Sequence, residues 1–152
     1  MSSKKTPSAA DERIRILAEF RYTLRRFIHF SEDAATRAGL TPQQHQLLLQ
    51  IAGAPADATA TIGYLAERLA LKHHSIVELA GRCEEAGLII RRHDEHDRRV
   101  VVLEVTTFGS RVLHQLAEDH ARELNELAPT LIKALTAIPG AKPSPAKMKK
   151  DK

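Results

Sequence analysis

Apolar positions recur at helical spacing along most of the chain and switch to alternation only once, between residues 88 and 105. Residues 11–38 carry two apolar stripes, Ile14, Leu17, Leu24 and Ile28 on one and Ile16, Phe20, Phe27 and Phe30 on the other. A surface that broad exceeds what one neighbour covers and predicts burial between chains. Gly39 is a suitable stop. In "LTPQQHQLLLQIAG" (40–53), Thr41 serves as N-cap, Pro42 as first helical residue and Gln44 as the partner that closes a capping box. His45, Leu48, Leu49 and Ala52 then share one face. "APADATA" (54–60) predicts a loop ending in a short strand. A third helix spans 62–69 behind Thr61, with Ile62, Leu65, Ala66 and Leu69 inward. After a turn around 70–73 a fourth buries Ile76, Leu79, Ala80 and Cys83 and stops at Gly87. Residues 88–92 and 99–105 predict two strands joined by the polar loop "HDEHDR" (93–98). From Thr107 to about Ile138 helical spacing returns through Val112, Leu113, Leu116, Leu124, Leu127, Leu131 and Leu135. Pro129, which lacks a donor and clashes one turn back, predicts a kink or restart.

The chain of 152 residues suits one domain over 11–138. Residues 1–10 and 139–152, rich in Pro, Ser, Lys and Ala, are expected to be disordered tails. No stretch approaches the roughly 20 apolar residues of a membrane span, and the N-terminus lacks the apolar core of a signal peptide. One cysteine, Cys83, excludes an internal disulfide and suits a reducing cytoplasm. The formal charge of +4 points to nucleic acid less strongly than it first suggests. Residues 139–152 hold five Lys and one Asp, and residues 1–10 add Lys4 and Lys5, leaving a net of −2 between 11 and 138. Any grip on DNA must therefore come from local arrangement.

The order helix, short strand, helix, turn, helix and hairpin over 41–106 is that of a winged helix-turn-helix, in which the later helix enters a major groove and the hairpin reaches the backbone or minor groove. The expected class is thus mainly α with a small β-hairpin wing, flanked by long N- and C-terminal helices (11–38 and 107–138). The stretch "SIVELAGRCEEAGLIIRRHDEHDRRVVVLEVTTFG" (75–109) resembles the DNA-binding core of the MarR family of bacterial transcriptional regulators. The matching phrases are Glu84 to Leu88, Arg91 with Arg92, Asp94 with Asp97-Arg98-Arg99, and Val105-Thr106 followed by Gly109. "LTPQQHQLLLQI" and "TIGYLAERLAL" look like the family's preceding helices, so the resemblance covers about 11–138.

That resemblance implies a ligand-responsive repressor that binds double-stranded DNA as a homodimer on a pseudo-palindromic operator. Arg98 matches the wing arginine that enters the minor groove, where the groove's negative potential holds a guanidinium. Asp97 is expected to orient an arginine by a charge-assisted bond. Arg99 is expected to open the return strand and reach a phosphate or pair with Asp94 or Asp97, and Arg91 lies on the strand before the wing. On the fourth helix, His74, Ser75 and Glu78 are implied at the base edges, with His73 exposed beside them at the DNA-binding surface, and Arg82 suits a phosphate. Glu78 pairing with Arg82 at i+4 is the bland alternative. For the wing, it is a solvated tip of mutual salt bridges.

The resemblance also implies a small, often phenolic, effector that releases DNA, and no resident cofactor. Thiol-oxidation sensors of this kind carry a cysteine in the first helix, where this chain has none. Cys83 is expected to be a core thiol. A zinc-responsive regulator is a further alternative, with His114 and Glu118 at i, i+4 and His45 or His120 as added ligands. A dimeric protein-interaction module with an idle wing is another. No Gly-rich phosphate loop, zinc-protease motif or nucleophile elbow points to an enzyme.

Overall fold

A computed structural model describes residues 6–138 and divides them into two compact units, 29–123 and the pair of segments 6–28 and 124–138. The elements in order are α1 (Ala9–Arg37), α2 (Pro42–Ala52), α3 (Ile62–Leu69), α4 (His73–Glu85), β1 (Ile89–His93), β2 (Val101–Val105) and α5 (Thr107–Ala137).

In the unit 29–123, α2, α3 and α4 pack on one another and on an antiparallel hairpin in which Ile89 pairs with Val105 and His93 with Val101. The core is continuous, from Ala34 and Ala35 through Leu47, Leu48, Leu65, Ile76, Leu79, Cys83, Leu88, Ile89 and Leu103 to Leu113 and Leu116. Thr41 and Gln44 form the expected capping box at α2, with mutual hydrogen bonds of 2.9 and 3.2 Å. Thr61 caps α3. The four residues expected to face inward from α4, Ile76, Leu79, Ala80 and Cys83, are all buried. Residue 61 forms a single bridge to Val102, with Leu103 N–H donating to the Ala60 carbonyl, so the expected short strand is one residue wide.

Several boundaries differ from expectation. Helix α1 reaches back to Ala9, inside the segment expected to be a tail, because Ser8 and Asp11 exchange capping hydrogen bonds. The rest of that tail, 1–5, and all of 139–152 lie outside the described residues. The strands are β1 Ile89–His93 and β2 Val101–Val105, so Arg99 belongs to the loop and does not open the return strand. On α2 the buried set is His45, Leu47, Leu48 and Ile51, whereas Leu49 is 40% exposed. Helix α5 continues through Pro129 to Ala137 rather than restarting there.

The start of α5 is tied to the end of α4. Thr106 N–H donates to the Leu88 carbonyl (3.0 Å), its hydroxyl donates to the Gly87 carbonyl (2.6 Å), and Gly109 N–H donates back to that hydroxyl (3.0 Å). A Cβ on Gly109 would stand 2.3 Å from the Leu88 carbonyl oxygen, so only glycine permits this approach. Gly87 itself takes φ +72°, the left-handed conformation that ends α4.

In the other unit, Leu127 and Ala134 are buried. Ile14, Leu17, Tyr22, Ile28, Leu124, Ile132 and Leu135 stay at least 41% exposed. Of the two stripes expected on α1, one is thus left open at Ile14, Leu17 and Ile28, whereas Ile16, Phe20 and Phe27 are partly covered.

A candidate nucleic-acid interface on α4 and the wing

Burial of Ile76, Leu79, Ala80 and Cys83 turns the opposite side of α4 outward. His73, His74, Glu78 and Arg82 sit away from that core, Ser75 is half-buried, and Val77 is 38% exposed. The helix therefore presents a mostly polar face one side chain deep, as base-edge reading requires. Glu78 and Arg82 form no ion pair with each other among the described residues, so the bland alternative for this pair does not hold.

Three arginines of the hairpin are occupied by carboxylates. Arg91 turns towards α4, where its Nε lies 3.6 Å from Glu84 Oε1 and its Nη2 3.5 Å from the Val77 carbonyl, beside Gly81. Arg92 Nε donates to Glu104 Oε2 across the hairpin at 2.8 Å. Arg99 closes on Asp97, its Nε donating to Oδ1 (3.1 Å) and its Nη2 to Oδ2 (3.2 Å), and its backbone N–H also donates to Oδ1. That grip, side chain first and backbone second, holds the Asp97 carboxyl below the ordinary carboxylate range. The arginine that Asp97 orients is Arg99.

Arg98 is different. Its side chain is exposed and makes no hydrogen bond or ion pair among the described residues. The backbone around it is well held. Asp94 Oδ1 accepts from the backbone N–H groups of His96 and Asp97 (2.8 and 3.0 Å), Asp94 N–H donates to Val100 O, and Val100 N–H donates to Asp97 O. Asp94 and Asp97 are thus engaged with backbone amides and with Arg99, leaving one guanidinium free at the apex.

The expected metal candidates do not form one group among the described residues. His45 is buried with Nδ1 lacking a hydrogen-bond partner among the described residues, and burial, then the nearby His120, pushes its pKa down. His120 donates its Nδ1–H to the Leu116 carbonyl, and its Nε2 lies 2.8 Å from the Ser31 hydroxyl. The imidazole centroids of His45 and His120 are 5.0 Å apart. His114 is exposed and donates its Nδ1–H to Ser110 O, and Glu118 is also outside the core. No group of three or more metal-ligating side chains occurs among the described residues. Burial raises the Cys83 thiol to about 11, as for a core thiol.

This frame and its motifs have counterparts among known proteins. The sequence profile described as the MarR family matches residues 38–100, from the end of α1 to the wing. Over that segment the chain matches the MarR family. It is 31% identical over 77 residues to the HTH-type transcriptional repressor MdtR of Bacillus subtilis (strain 168), covering 51% of this chain and 48% of that protein. The chain thus spans about half of that relative. It is 29% identical over 129 residues to the transcriptional activatory protein BadR of Rhodopseudomonas palustris, covering 80% of this chain and 74% of that one. Among solved structures, a MarR family protein from Bacillus stearothermophilus superposes with a TM-score of 0.69 at 22% identity, covering 80% of this chain and 82% of the other. A mutant MarR from E. coli, complexed with operator DNA, gives 0.61 at 20% identity over 82% and 88%. At those identities the structural likeness carries the winged helix-turn-helix fold of this chain. No helix among the described residues is long and apolar enough to cross a membrane.

Proposed function

We propose that this chain is a sequence-specific regulator of transcription that binds double-stranded DNA as a homodimer on a pseudo-palindromic operator. The observation that carries the reading is Arg98, an unpaired guanidinium at the apex of a hairpin whose aspartates are engaged with its backbone and with Arg99. A cation left free at that point is positioned for the negative potential of a minor groove, with α4 beside it for the major groove. The relatives lend support: two are named as transcriptional regulators, and a structural neighbour is bound to operator DNA.

Two-fold symmetry follows from half-sites about one helical turn (~34 Å) apart. The exposed Ile14, Leu17 and Ile28 of α1 and Leu124, Ile132 and Leu135 of α5 supply an apolar surface for the second copy. We assign repression, relieved by a small phenolic effector, on the family resemblance; a promoter–reporter assay reads its sign. On this reading His74, Ser75 and Glu78 face base edges with His73 beside them, Arg82 and Arg99 lie near phosphates, and Arg91 and Asp97 orient the reading surface.

The test begins with selection of operator fragments from genomic DNA. Arg98→Ala should then weaken operator binding by roughly tenfold or more at fixed salt, as loss of a charged contact does, with oligomer mass unchanged. Unchanged affinity would leave the wing idle, and failure to select any fragment would favour a protein-interaction module.

A further inference from the structure

We propose that His93 is a positioning residue that aims Arg98, an inference that rests on the wing assignment above. His93 is the last residue of β1, in register with Val101 of β2, and its imidazole reaches across the loop to the Arg98 carbonyl at 2.9 Å. A carbonyl only accepts, so Nδ1 carries the proton and donates. The N–H of the same peptide unit is also held, because the Arg99 N–H donates to Asp97 Oδ1 at 3.0 Å.

The peptide plane joining Arg98 to Arg99 is therefore gripped on both sides, its oxygen by His93 and its N–H by Asp97. Fixing that plane fixes ψ of Arg98, and with it the direction in which the Arg98 side chain leaves the loop. No ion pair or hydrogen bond among the described residues aims the guanidinium itself, so the backbone does the aiming. A loop ordered before it meets DNA loses less conformational freedom on binding, which strengthens the complex without adding a contact. The hydrogen bond that the His93 side chain makes goes to Arg98 and to none of the expected reading residues of α4.

Three substitutions separate this role from a charge effect or a general loss of structure. His93→Phe keeps a ring of similar size in the strand and removes the donor. His93→Asn keeps a donor close to the Nδ1 position and removes the titratable charge. Each is combined with Arg98→Ala, and operator affinity is measured at fixed salt. His93→Phe should weaken binding roughly three- to tenfold when Arg98 is present, the size of one lost hydrogen bond, and leave it unchanged in the Arg98→Ala background. His93→Asn should restore most of the loss. In the free protein, the His93→Phe loop should exchange the Arg99 amide hydrogen faster than the wild type.

A loss of equal size in both backgrounds, or no loss, would overturn the role assigned to His93. So would a His93→Asn variant as weak as His93→Phe, which would make charge the cause. If Arg98→Ala alone binds as tightly as the wild type, the wing assignment itself fails and takes this inference with it. The amide-exchange comparison needs no DNA: an unchanged rate shows that the brace is absent whatever the fate of the wing assignment.

Discussion

Replacing Gly109 by alanine sets two well-known effects against each other. In the first turn of α5, alanine should help by about 1 kcal/mol, since glycine loses more backbone entropy in a helix. The new Cβ, however, would lie 2.3 Å from the Leu88 carbonyl oxygen and 2.9 Å from Val105 Cγ1. Real contacts of this kind stay beyond 3.0 Å, so the backbones of α5 and of residue 88 must separate by at least 0.7 Å (3.0 less 2.3). That movement pulls directly on the Thr106 N–H to Leu88 O bond and on the Thr106 hydroxyl to Gly87 O bond. Overpacking of this kind costs about 1–3 kcal/mol, and each weakened hydrogen bond about 1 more. With the helix gain subtracted, Gly109→Ala should lose about 2–4 kcal/mol, or roughly 4–16 °C in Tm for a chain of this size. Gly63 in α3 is the control, because nothing closer than Thr61 Oγ1 at 4.0 Å meets its Cβ. Gly63→Ala should stabilise by about 0.5–1 kcal/mol. Denaturant titration at one fixed protein concentration measures both, since an oligomer's stability depends on concentration. A Gly109→Ala protein as stable as the wild type, with Gly63→Ala gaining as expected, would refute the close-approach argument.

Three further outcomes follow from burial. His45 has its pKa lowered from 6.5 in the folded state, so above that value both states are neutral and the group contributes nothing. As pH falls below 6.5 the unfolded chain takes up the proton first and stability drops, by up to about 1.4 kcal/mol per pH unit. His45→Phe should flatten melting curves collected from pH 7.5 down to 5, and parallel curves would contradict the assignment. Cys83, buried with its thiol raised to about 11, should react with a thiol reagent at neutral pH only as the protein unfolds. Rapid stoichiometric labelling of the native protein would show that the thiol is accessible. Leu17→Glu, on the exposed stripe of α1, should halve the sedimenting mass at micromolar concentration while leaving helicity intact. An undiminished mass would remove that stripe from the dimer surface.

Local signals in the sequence identify most of the frame. The caps of α2 and α3, the α4 buried face and the period change at the hairpin all arise from neighbours within four residues, where side-chain spacing decides the outcome. The errors have physical causes. Leu47, Leu48 and Leu49 in succession leave the inward face of α2 undecided, and packing against α3, α4 and β2 chose Leu47, Leu48 and Ile51. Arg99 has the composition of a strand start, but Asp97 diverts its N–H into the loop. The Ser31–His120 contact joins residues 89 apart in sequence, beyond any periodic pattern. The bond from His93 to Arg98 escapes a reading of the sequence because it depends on hairpin register, which composition leaves open. For the candidate reading surface, the family resemblance points to Arg98 and, with helical spacing, to the α4 face, whereas the partners of Arg91, Arg92 and Arg99 need coordinates.

Those partners have a consequence for how such a protein would search a genome. Glu84, Glu104 and Asp97 each neutralise one arginine of the hairpin, and residues 11–138 carry a net charge of −2. Non-specific DNA affinity grows with the number of phosphates neutralised, and each adds a salt-dependence exponent of about 0.9. A hairpin that offers one unpaired arginine per copy would dwell briefly on arbitrary sequence and lose few molecules to the vast excess of competing sites. Internal carboxylates thereby trade raw adhesion for turnover, so that a modest pool of protein stays available for the few sites where geometry lets every contact form at once.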